Sequence, residues 1–179
     1  MNLPAANKIP DKLINAKIYK QGETELMGTA DAEFPSLEYV TEALTGLGLA
    51  GEIETPVIGH FKSLGFKFKW NTVNEMATSL LYPEAHDLEV HASTQVYDAG
   101  TGKLANSPVK AFLRCLPKKG GLGKLEPGKK MDAETEMECL RIKMWIGGNL
   151  ALEIDKLNFI CRINGVDALA SVRRDLGME

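Results

Sequence analysis

Alternating apolar and polar residues run through most of the chain and predict β-strands. The clearest alternation spans residues 64–70, where Leu64, Phe66, Phe68 and Trp70 alternate with glycine and lysine. A weaker alternation from Glu23 to Phe34 predicts a half-buried strand with an acidic outer face. Further strands are predicted over 88–97, 109–116, 132–146 and 150–163. A period of two is typical of half-buried strands, so the sequence predicts a mainly β protein.

The segment 132–146 changes its pattern part of the way along. Acidic residues share one parity up to Glu138, and apolar residues continue the same parity from Leu140. The buried face therefore changes near Cys139, which predicts either a β-bulge or a passage into a different environment. At about 3.3 Å per residue the segment would span roughly 50 Å. That length predicts a strand that leaves the core of its own subunit.

Two segments have helical spacing. The first is predicted to begin with a capping box, in which Thr72 is the N-cap and Glu75 is three residues later, and to end before Pro83. Its apolar face is Val73, Met76, Ala77 and Leu80. The second helix has its apolar residues at Val166, Leu169, Val172 and Leu176, with Asp167 as cap, Arg173 and Arg174 in the last turn, and Gly177 as its end. The alternating segments and these two helices together predict a mainly β (α+β) fold class.

Composition is that of an ordinary soluble protein. The 179 residues are 44% hydrophobic and 25% charged, which predicts a single domain over residues 1–179. The net charge of −3 does not favour binding to phosphate groups.

Targeting signals and cysteine pairs are not evident in the sequence. The three widely spaced cysteines (Cys115, Cys139 and Cys161) fit neither a disulfide framework nor a zinc site and indicate reduced thiols. Residues 1–4 have no signal-peptide pattern, and no stretch approaches the about 18 apolar residues of a membrane span. The expected site of synthesis is a cytoplasm.

Two glycine motifs resemble nucleotide-binding loops but lack the required context. Gly46–Gly51 has the spacing GxGxxG, yet acidic residues and Pro56 follow where a helix should begin, so a hairpin tip is favoured. Gly123–Lys129 has the spacing GxxxxGK, yet Lys130 replaces the Ser or Thr that would hold magnesium. A basic surface loop is favoured there.

Catalytic and metal-binding patterns are also weak. The histidines His60, His86 and His91 lack metal-ligand spacing. The acids of residues 132–138 lack a calcium-loop pattern, and there is no GxSxG nucleophile elbow. The sequence therefore predicts no enzyme, no cofactor and no metal.

A long hairpin over Leu37–Gly59 is the most informative architectural feature. Its side chains are small or rich in threonine, and it also carries Glu42, Glu52 and Glu54. Such a ribbon is too polar to form a core and too long to be stable alone in water. It needs neighbours at both edges, and identical copies arranged in a ring would supply them.

Three sets of residues follow one another in a recognisable order along the chain. The most specific is at the C-terminal end: the run Leu152 to Ile160 containing Glu153-Ile154-Asp155, the turn Asn164-Gly165-Val166-Asp167, and the ending Arg173-Arg174-Asp175-Leu176-Gly177. The run Phe34-Pro35-Ser36-Leu37 precedes the glycine-rich tip, and a lysine-glycine loop precedes Asp132. In this order the motifs resemble the major tail tube proteins of contractile-tailed bacteriophages and the related R-type bacteriocins, and the resemblance covers nearly the whole chain. It implies a small β-barrel or sandwich with a flanking α-helix and a long hairpin that contributes to an inter-subunit lumen barrel.

This resemblance implies a structural role. Hexameric rings would form through hairpins that join into one lumen barrel, and the rings would stack into a tube inside a contractile sheath. Tape-measure, baseplate and terminator proteins would be further partners, and DNA would pass through the lumen without specific binding. The implied location is the tail tube of a virion that is assembled in the bacterial host cytoplasm.

Three groups of residues are the candidates for these roles. The expected lumen-hairpin residues are Thr41, Glu42, Thr45, Glu52, Glu54 and Thr55, whose acids would repel phosphate groups. The expected ring-stacking residues lie in a mobile basic loop, Pro117–Met131, opposite acids such as Glu134 or Glu136: they are Lys118, Lys119, Lys124, Lys129 and Lys130. Asn164, Gly165, Asp167, Arg173 and Arg174 form the family's C-terminal motif, and the arginines either face the sheath or serve the helix end.

Two alternatives remain open at the sequence level. One is the tube of a genome-free contractile particle, such as an R-type bacteriocin or a secretion system. The other is a monomeric β-barrel that binds a small apolar ligand in a cavity lined by Phe66, Phe68 and Trp70.

Overall fold

The computed structural model of the chain describes residues 8–21 and 28–178. Within them the strands are β1 (Lys8–Lys20), β2 (Thr29–Glu33), β3 (Tyr39–Leu44), β4 (Ile53–Phe61), β5 (Gly65–Trp70), β6 (His86–Asp98), β7 (Lys103–Gly121), β8 (Ala133–Ile146), β9 (Asn149–Asp155), β10 (Ile160–Ile163) and β11 (Val166–Asp167). The helices are α1 (Glu75–Ser79) and α2 (Ala170–Asp175). The predicted mainly β fold with a flanking helix is confirmed.

Nine strands form one large antiparallel sheet. Its main order is β1-β6-β7-β8-β9-β10-β11, while β5 pairs with β8 and β2 pairs with β5. The first half of β8, Ala133–Glu138, pairs with β5, and the second half pairs with β9 from Arg141 onward. Strand β8 therefore connects two parts of the sheet that fold around a common core.

The predicted change of face in β8 is a β-bulge. Arg114 is opposite Arg141 and Cys115 is opposite Cys139, so Leu140 is the extra residue. Before the bulge the odd-numbered residues are buried, and after it Ile142 is buried. The expectation that this strand leaves the subunit core was wrong, because only Ile146 of β8 is fully exposed. The bulge lets one strand serve both parts of the sheet.

The core is built from the apolar faces of β5, β6, β7 and β8, together with α1. Phe66, Phe68 and Trp70 are at most 1% exposed and their rings pack in sequence, with centroids 5.5 and 5.3 Å apart. Trp70 Nε1 donates a hydrogen bond to the buried Thr135 Oγ1 at 2.9 Å. These aromatic side chains fill the core instead of lining a shared ligand cavity.

Strand boundaries differ from the predictions at the beginning of the chain. Strand β1 was not predicted, because register shifts between Pro10 and Leu13 and between Leu13 and Asn15 interrupt its alternation. The predicted strand over 23–34 corresponds to the shorter and mostly exposed β2, while residues 22–27, like the N-terminal residues 1–4, lie outside the described ranges. Strand β7 is longer than predicted at both ends.

The two helices begin later than predicted. Asn74, rather than Thr72, is the N-cap of α1, and its Oδ1 accepts a hydrogen bond from Ala77 N at 2.8 Å. Residues 166 and 167 form β11 instead of helix, and α2 has Leu169 at its N-cap. Gly177 follows the end of α2 with φ +68°, as predicted for a helix stop.

Candidate assembly surfaces

Strands β3 and β4 form a separate two-stranded ribbon, residues 39–61. Every residue from Tyr39 to Ile58 is exposed, including Leu44, Leu47 and Ile53. Among the described residues the ribbon strands pair only with each other. The glycine-rich tip turns at Gly48, with φ +91°, which confirms the hairpin interpretation of the GxGxxG spacing. The ribbon thus projects from the subunit with two exposed faces.

The register divides the predicted lumen residues between the two faces. Glu42 is opposite Thr55, whereas Glu54 is opposite Ala43. Because neighbouring residues on a strand point to opposite faces, Glu42 and Glu54 lie on different faces of the ribbon. Thr41 shares the face of Glu54. The predicted lumen residues of the hairpin therefore do not all share one face of the ribbon.

The two faces differ in polarity. The face that contains Glu42 also carries Leu44 and Ile53, which are opposite each other. The face that contains Glu54 carries Thr41, Ala43 and Pro56. Thr45 and Glu52 lie at the tip, one residue beyond the last paired positions. The face with Leu44 and Ile53 is the more apolar of the two, and we call it the apolar face. We call the face with Thr41 and Glu54 the polar face.

The root of the ribbon is held by close packing. Gly59 has φ +69°, and a Cβ placed there would be 2.4 Å from Leu169 Cδ1. Phe61 is buried and its ring packs on Tyr39 with centroids 4.6 Å apart. Lys62 N donates a hydrogen bond to Glu38 O at 2.8 Å. These contacts fix the base of the ribbon, whereas the rest of the ribbon is exposed.

Glu153, in the family-like C-terminal run, is the centre of a charge network. Its carboxylate accepts from Lys143 Nζ at 2.8 Å, Arg162 Nη1 at 3.1 Å and Arg141 Nη2 at 3.2 Å. The Glu153 side chain is 5% exposed. Burial by itself raises the pKa of Glu153, but the hydrogen bonds from Lys143 and Arg141 outweigh it, and the pKa is lowered. The network joins β8, β9 and β10.

Asp155 shapes the turn that follows β9. Its Oδ1 accepts hydrogen bonds from the backbone amides of Leu157 and Asn158, both at 3.0 Å. Its Oδ2 accepts from Asn158 Nδ2 at 2.8 Å. Arg141 Nε lies 3.6 Å from the same oxygen. This aspartate therefore both caps the turn and joins the charge network.

The remainder of the C-terminal motif holds α2 against the sheet. Asn164 and Gly165 have φ of +47° and +86° and form the tight turn between β10 and β11. Asp167 Oδ2 accepts from Arg173 Nη2 at 2.9 Å, and Asp167 Oδ1 accepts from Leu169 N at 3.1 Å. The hydrogen bond from Arg173 holds the pKa of Asp167 below its usual range. These contacts place Leu169 against the root of the ribbon.

Arg173 and Arg174 differ in their surroundings. Arg173 is turned inward, and its Nη1 donates to Phe159 O at 2.9 Å as well as binding Asp167 through Nη2. Arg174 is exposed. Of the two arginines, the structure places only Arg174 on the surface.

The basic loop is shorter than predicted. Lys118 and Lys119 belong to β7, and they lie 3.0 Å from Glu136 and 3.8 Å from Glu134 of the same subunit. The expectation that all of Pro117–Met131 is a loop was therefore wrong, and those two acids already have lysine neighbours within the chain. The loop proper covers residues 122–132.

The loop has both positive and apolar groups at its surface. It contains Lys124, Lys129 and Lys130, and Lys129 lies 2.5 Å from Glu126. Leu122 and Leu125 are 61% and 87% exposed. Lys124 N donates to Met131 O at 2.8 Å and closes the loop at its base. Strand β8 follows, without the helix that a phosphate-binding loop requires.

The remaining candidate groups have ordinary structural partners. Cys115, Cys139 and Cys161 are free and buried, and the contact with Cys139 together with burial raises the pKa of the Cys115 thiol. His91 Nε2 lies 3.1 Å from Glu89 Oε2 on the sheet surface. Within residues 8–21 and 28–178, no group of three His, Cys, Asp or Glu side chains is placed to hold a metal ion. No helix in those ranges is long and apolar enough to span a membrane.

Sequence reasoning did not predict the central part of the charge network, around Glu153. The motif residues Asp167 and Arg173 were singled out, but Arg141, Lys143 and Arg162 were not. The sequence does contain a signal for this network. Glu153 lies between apolar residues in a predicted strand, and a carboxylate that is buried there needs cationic partners on neighbouring strands.

Comparisons with known proteins identify the family of the chain and its fold. The sequence pattern of the family described as phage tail tube protein FII matches residues 10–177. The tail tube protein of Escherichia phage P2 is 23% identical over 180 residues, which cover 95% of this chain and 99% of the P2 protein.

Two solved structures have the same fold. The sheath/tube terminator of an extracellular contractile injection system, PVC, has a TM-score of 0.53 at 11% identity, covering 76% of this chain and 96% of the other. A chain of the PVC sheath-tube complex has a TM-score of 0.50 at 13% identity, covering 76% and 90%. Because the family match extends over most of the chain, this protein belongs to the phage tail tube protein FII family, a family of structural tail components rather than enzymes.

Proposed function

We propose that copies of this chain close into hexameric rings that stack to form the inner tube of a contractile phage tail. The observation that carries this proposal is the ribbon of residues 39–61, which is exposed on both faces and paired only with itself among the described residues. An isolated two-stranded ribbon is marginally stable in water, so it needs neighbours. Sister copies supply them in a closed ring.

The polar face of the ribbon is the face that we assign to the lumen. It carries Thr41 and Glu54, with Thr45 and Glu52 at the tip, whereas the Leu44 and Ile53 face packs against protein. Glu42 and Thr55, on that apolar face, are then placed at subunit contacts. Six two-stranded ribbons supply about 12 strands, so the proposed lumen barrel takes about two further strands from each subunit. A ring of about 24 strands at 4.8 Å spacing and about 40° tilt has a diameter near 48 Å. That width admits duplex DNA, and carboxylates repel its phosphates.

The loop 122–132 is the segment that we assign to ring stacking. Exposed Leu122 and Leu125 beside Lys124, Lys129 and Lys130 give a patch with apolar and positive groups. A contact between different surfaces of successive rings does not close and produces a filament. Gly120 lies in β7 against Leu81, so a deletion that began there would damage the fold. In the variant that tests this assignment, an Asn-Gly turn replaces residues 125–130, so that only exposed residues of the loop are removed.

Other components of the tail complete the proposal. Sheath, tape-measure, baseplate and terminator proteins are the expected partners, and exposed Arg174 is a candidate for contact with the sheath. Assembly in the host cytoplasm and location in the virion tail tube follow from the same role. The support for sheath and terminator contacts is that both structural neighbours come from sheath-tube or terminator assemblies.

Electron microscopy of the purified protein and of a shortened ribbon tests this function. Thr41 and Pro56 are directly opposite each other, so residues 42–55 can be replaced by Asn-Gly without disturbing the root. We expect rings or tubes from the natural chain. The shortened variant should remain a folded monomer with the melting temperature of the unassembled natural chain, since the removed residues are exposed. Normal tubes from the shortened variant would refute the role of the ribbon.

A genome-free contractile particle is the second candidate. The observation that favours it is the structural likeness to an extracellular contractile injection system. The phage relative covers nearly the full length of both chains, and for this reason we place the phage tail first. Microscopy of particles from producing cells separates the two, because a phage carries DNA-filled heads on these tails and a genome-free particle does not.

A further inference from the structure

The ribbon carries acidic side chains. Residues 39–61 contain Glu42, Glu52 and Glu54 and have neither lysine nor arginine, and Glu38 directly precedes them. Glu38 lies against Lys62 at the root, whereas the other three glutamates are exposed along the ribbon and at its tip. A surface with this charge favours a partner rich in lysine.

Strand β1 has the opposite charge and lies at one end of the large sheet. It contains four lysines, Lys8, Lys12, Lys17 and Lys20, and a single acid, Asp11. Within the described ranges β1 pairs with β6 along one edge and with no strand along the other. Residues 8–17 are exposed. The Lys12 side chain is 66% exposed, and it lies 3.5 Å from the neighbouring Asp11.

An apolar groove lies directly beside β1. Because the strand series runs β1-β6-β7-β8-β5-β2, strands β1 and β2 are its two ends, and the groove is the gap between them. Its volume is about 570 Å³, and its apolar lining includes Leu13, Ile18, Phe34, Phe66 and Val90. Leu13 is 57% exposed. Among the described residues, the wall of the subunit is thus open along β1.

We propose that the acidic ribbon of one subunit docks along β1 of a second copy, with its apolar face over the groove between β1 and β2. This inference rests on the proposed assembly of identical subunits and names the surfaces that meet. Leu44 and Ile53 would cover the apolar lining, and Glu42, on the same face of the ribbon, would face the lysines of β1. Because the ribbon and β1 are different surfaces of the same chain, the contact is head-to-tail. Such a contact can repeat around a closed ring.

The irregular start of β1 limits how the backbones can pair. Pro10 and the two register shifts that follow interrupt the free edge, which is how edge strands avoid uncontrolled association. A regular backbone ladder can form only along Asn15–Lys20. Charge and apolar contacts therefore contribute more to the docking than a long ladder does, and the interaction depends on ionic strength.

Charge reversal on each surface tests the proposal. One variant carries Lys8→Glu and Lys12→Glu, and the other carries Glu42→Lys, on the docking face; all three side chains are exposed. Each variant alone places like charges together and should weaken the association constant of each subunit contact about tenfold at low salt, the change that corresponds to roughly 1.4 kcal/mol. When the two variants are mixed in equal amounts and alternate around a ring, every ribbon meets a β1 strand of opposite charge. The mixture should recover rings or tubes, as measured by sedimentation and microscopy.

Controls separate the docking proposal from the proposed function. Exposed Glu84 lies outside both surfaces, and Glu84→Lys should assemble like the natural chain. Circular dichroism checks that each variant is folded, and misfolded variants would not restore each other on mixing. If the natural chain assembles but the reversals have no effect, or the mixture fails to recover, the docking proposal is overturned while the tube function stands. A natural chain that never assembles overturns both.

Discussion

Replacing Glu153 with glutamine removes one negative charge from the centre of the C-terminal network. Three cations remain, at 2.8–3.2 Å from the former carboxylate oxygens. Glu153 is 5% exposed, whereas the cations are 27–39% exposed and partly solvated. Breaking a buried ion pair costs about 3–5 kcal/mol. Solvation of the cations reduces this to about 2–4 kcal/mol.

Thermal unfolding at pH 7 measures this loss. For a chain of this size, about 1 kcal/mol corresponds to roughly 2–4 °C, so Glu153→Gln should melt some 5–15 °C lower. The matched control is Glu126→Gln, whose partner Lys129 is 72% exposed, and its melting temperature should barely change. Both proteins are compared in the same association state, because assembly adds stability by mass action. A Glu153→Gln melting temperature within 1–2 °C of the natural chain would refute the reasoning.

The same substitution has a defined dependence on pH. The pKa of Glu153 is lowered in the folded protein, so its stabilising contribution is complete above the unfolded value of about 4.3 and is lost as pH falls through the folded value. The difference between the natural chain and Glu153→Gln should therefore be constant from pH 7 to about 5 and shrink below about 4. A difference that grows on acidification would contradict the lowered pKa.

Two further substitutions test the packing that supports the ribbon and the core. Gly59→Ala should destabilise by about 1–3 kcal/mol, since the new methyl group meets Leu169 at positive φ, whereas Gly51→Ala, with open space around it, should be nearly neutral in denaturant unfolding. Trp70→Phe should cost about 1–3 kcal/mol in the same assay because it leaves the buried Thr135 hydroxyl without its donor, and adding Thr135→Val should recover part of the loss. Equal effects of the two glycine variants, or no recovery by the valine, would contradict these contacts.

Local sequence patterns were sufficient for the regular parts of the fold. Strict alternation identified β5 and β6, and the change of parity near Cys139 identified the bulge in β8. The same method missed β1, since its bulges and lysines obscure the period of two. The helix starts were displaced because Asn74 and Thr72 are both good caps, and local sequence does not decide between them.

The candidate surfaces were predictable only as segments. Composition and length indicated the exposed ribbon, but the pairing of Glu42 with Thr55 and of Glu54 with Ala43 decides which side chains share a face. The charge network depends likewise on register across β8, β9 and β10. The contact of Gly59 with Leu169 joins residues 110 positions apart, a relation that a single sequence does not contain.

Cryo-electron microscopy of the assembled natural chain tests the central claim most directly: the ribbon of residues 39–61 obtains its packing partners from sister copies. The account predicts rings around an open channel, with the ribbon ordered against a neighbouring subunit and the side chains of Thr41 and Glu54 facing the channel. Assemblies in which the ribbon folds back onto its own subunit, or projects into solvent without a partner, would contradict it.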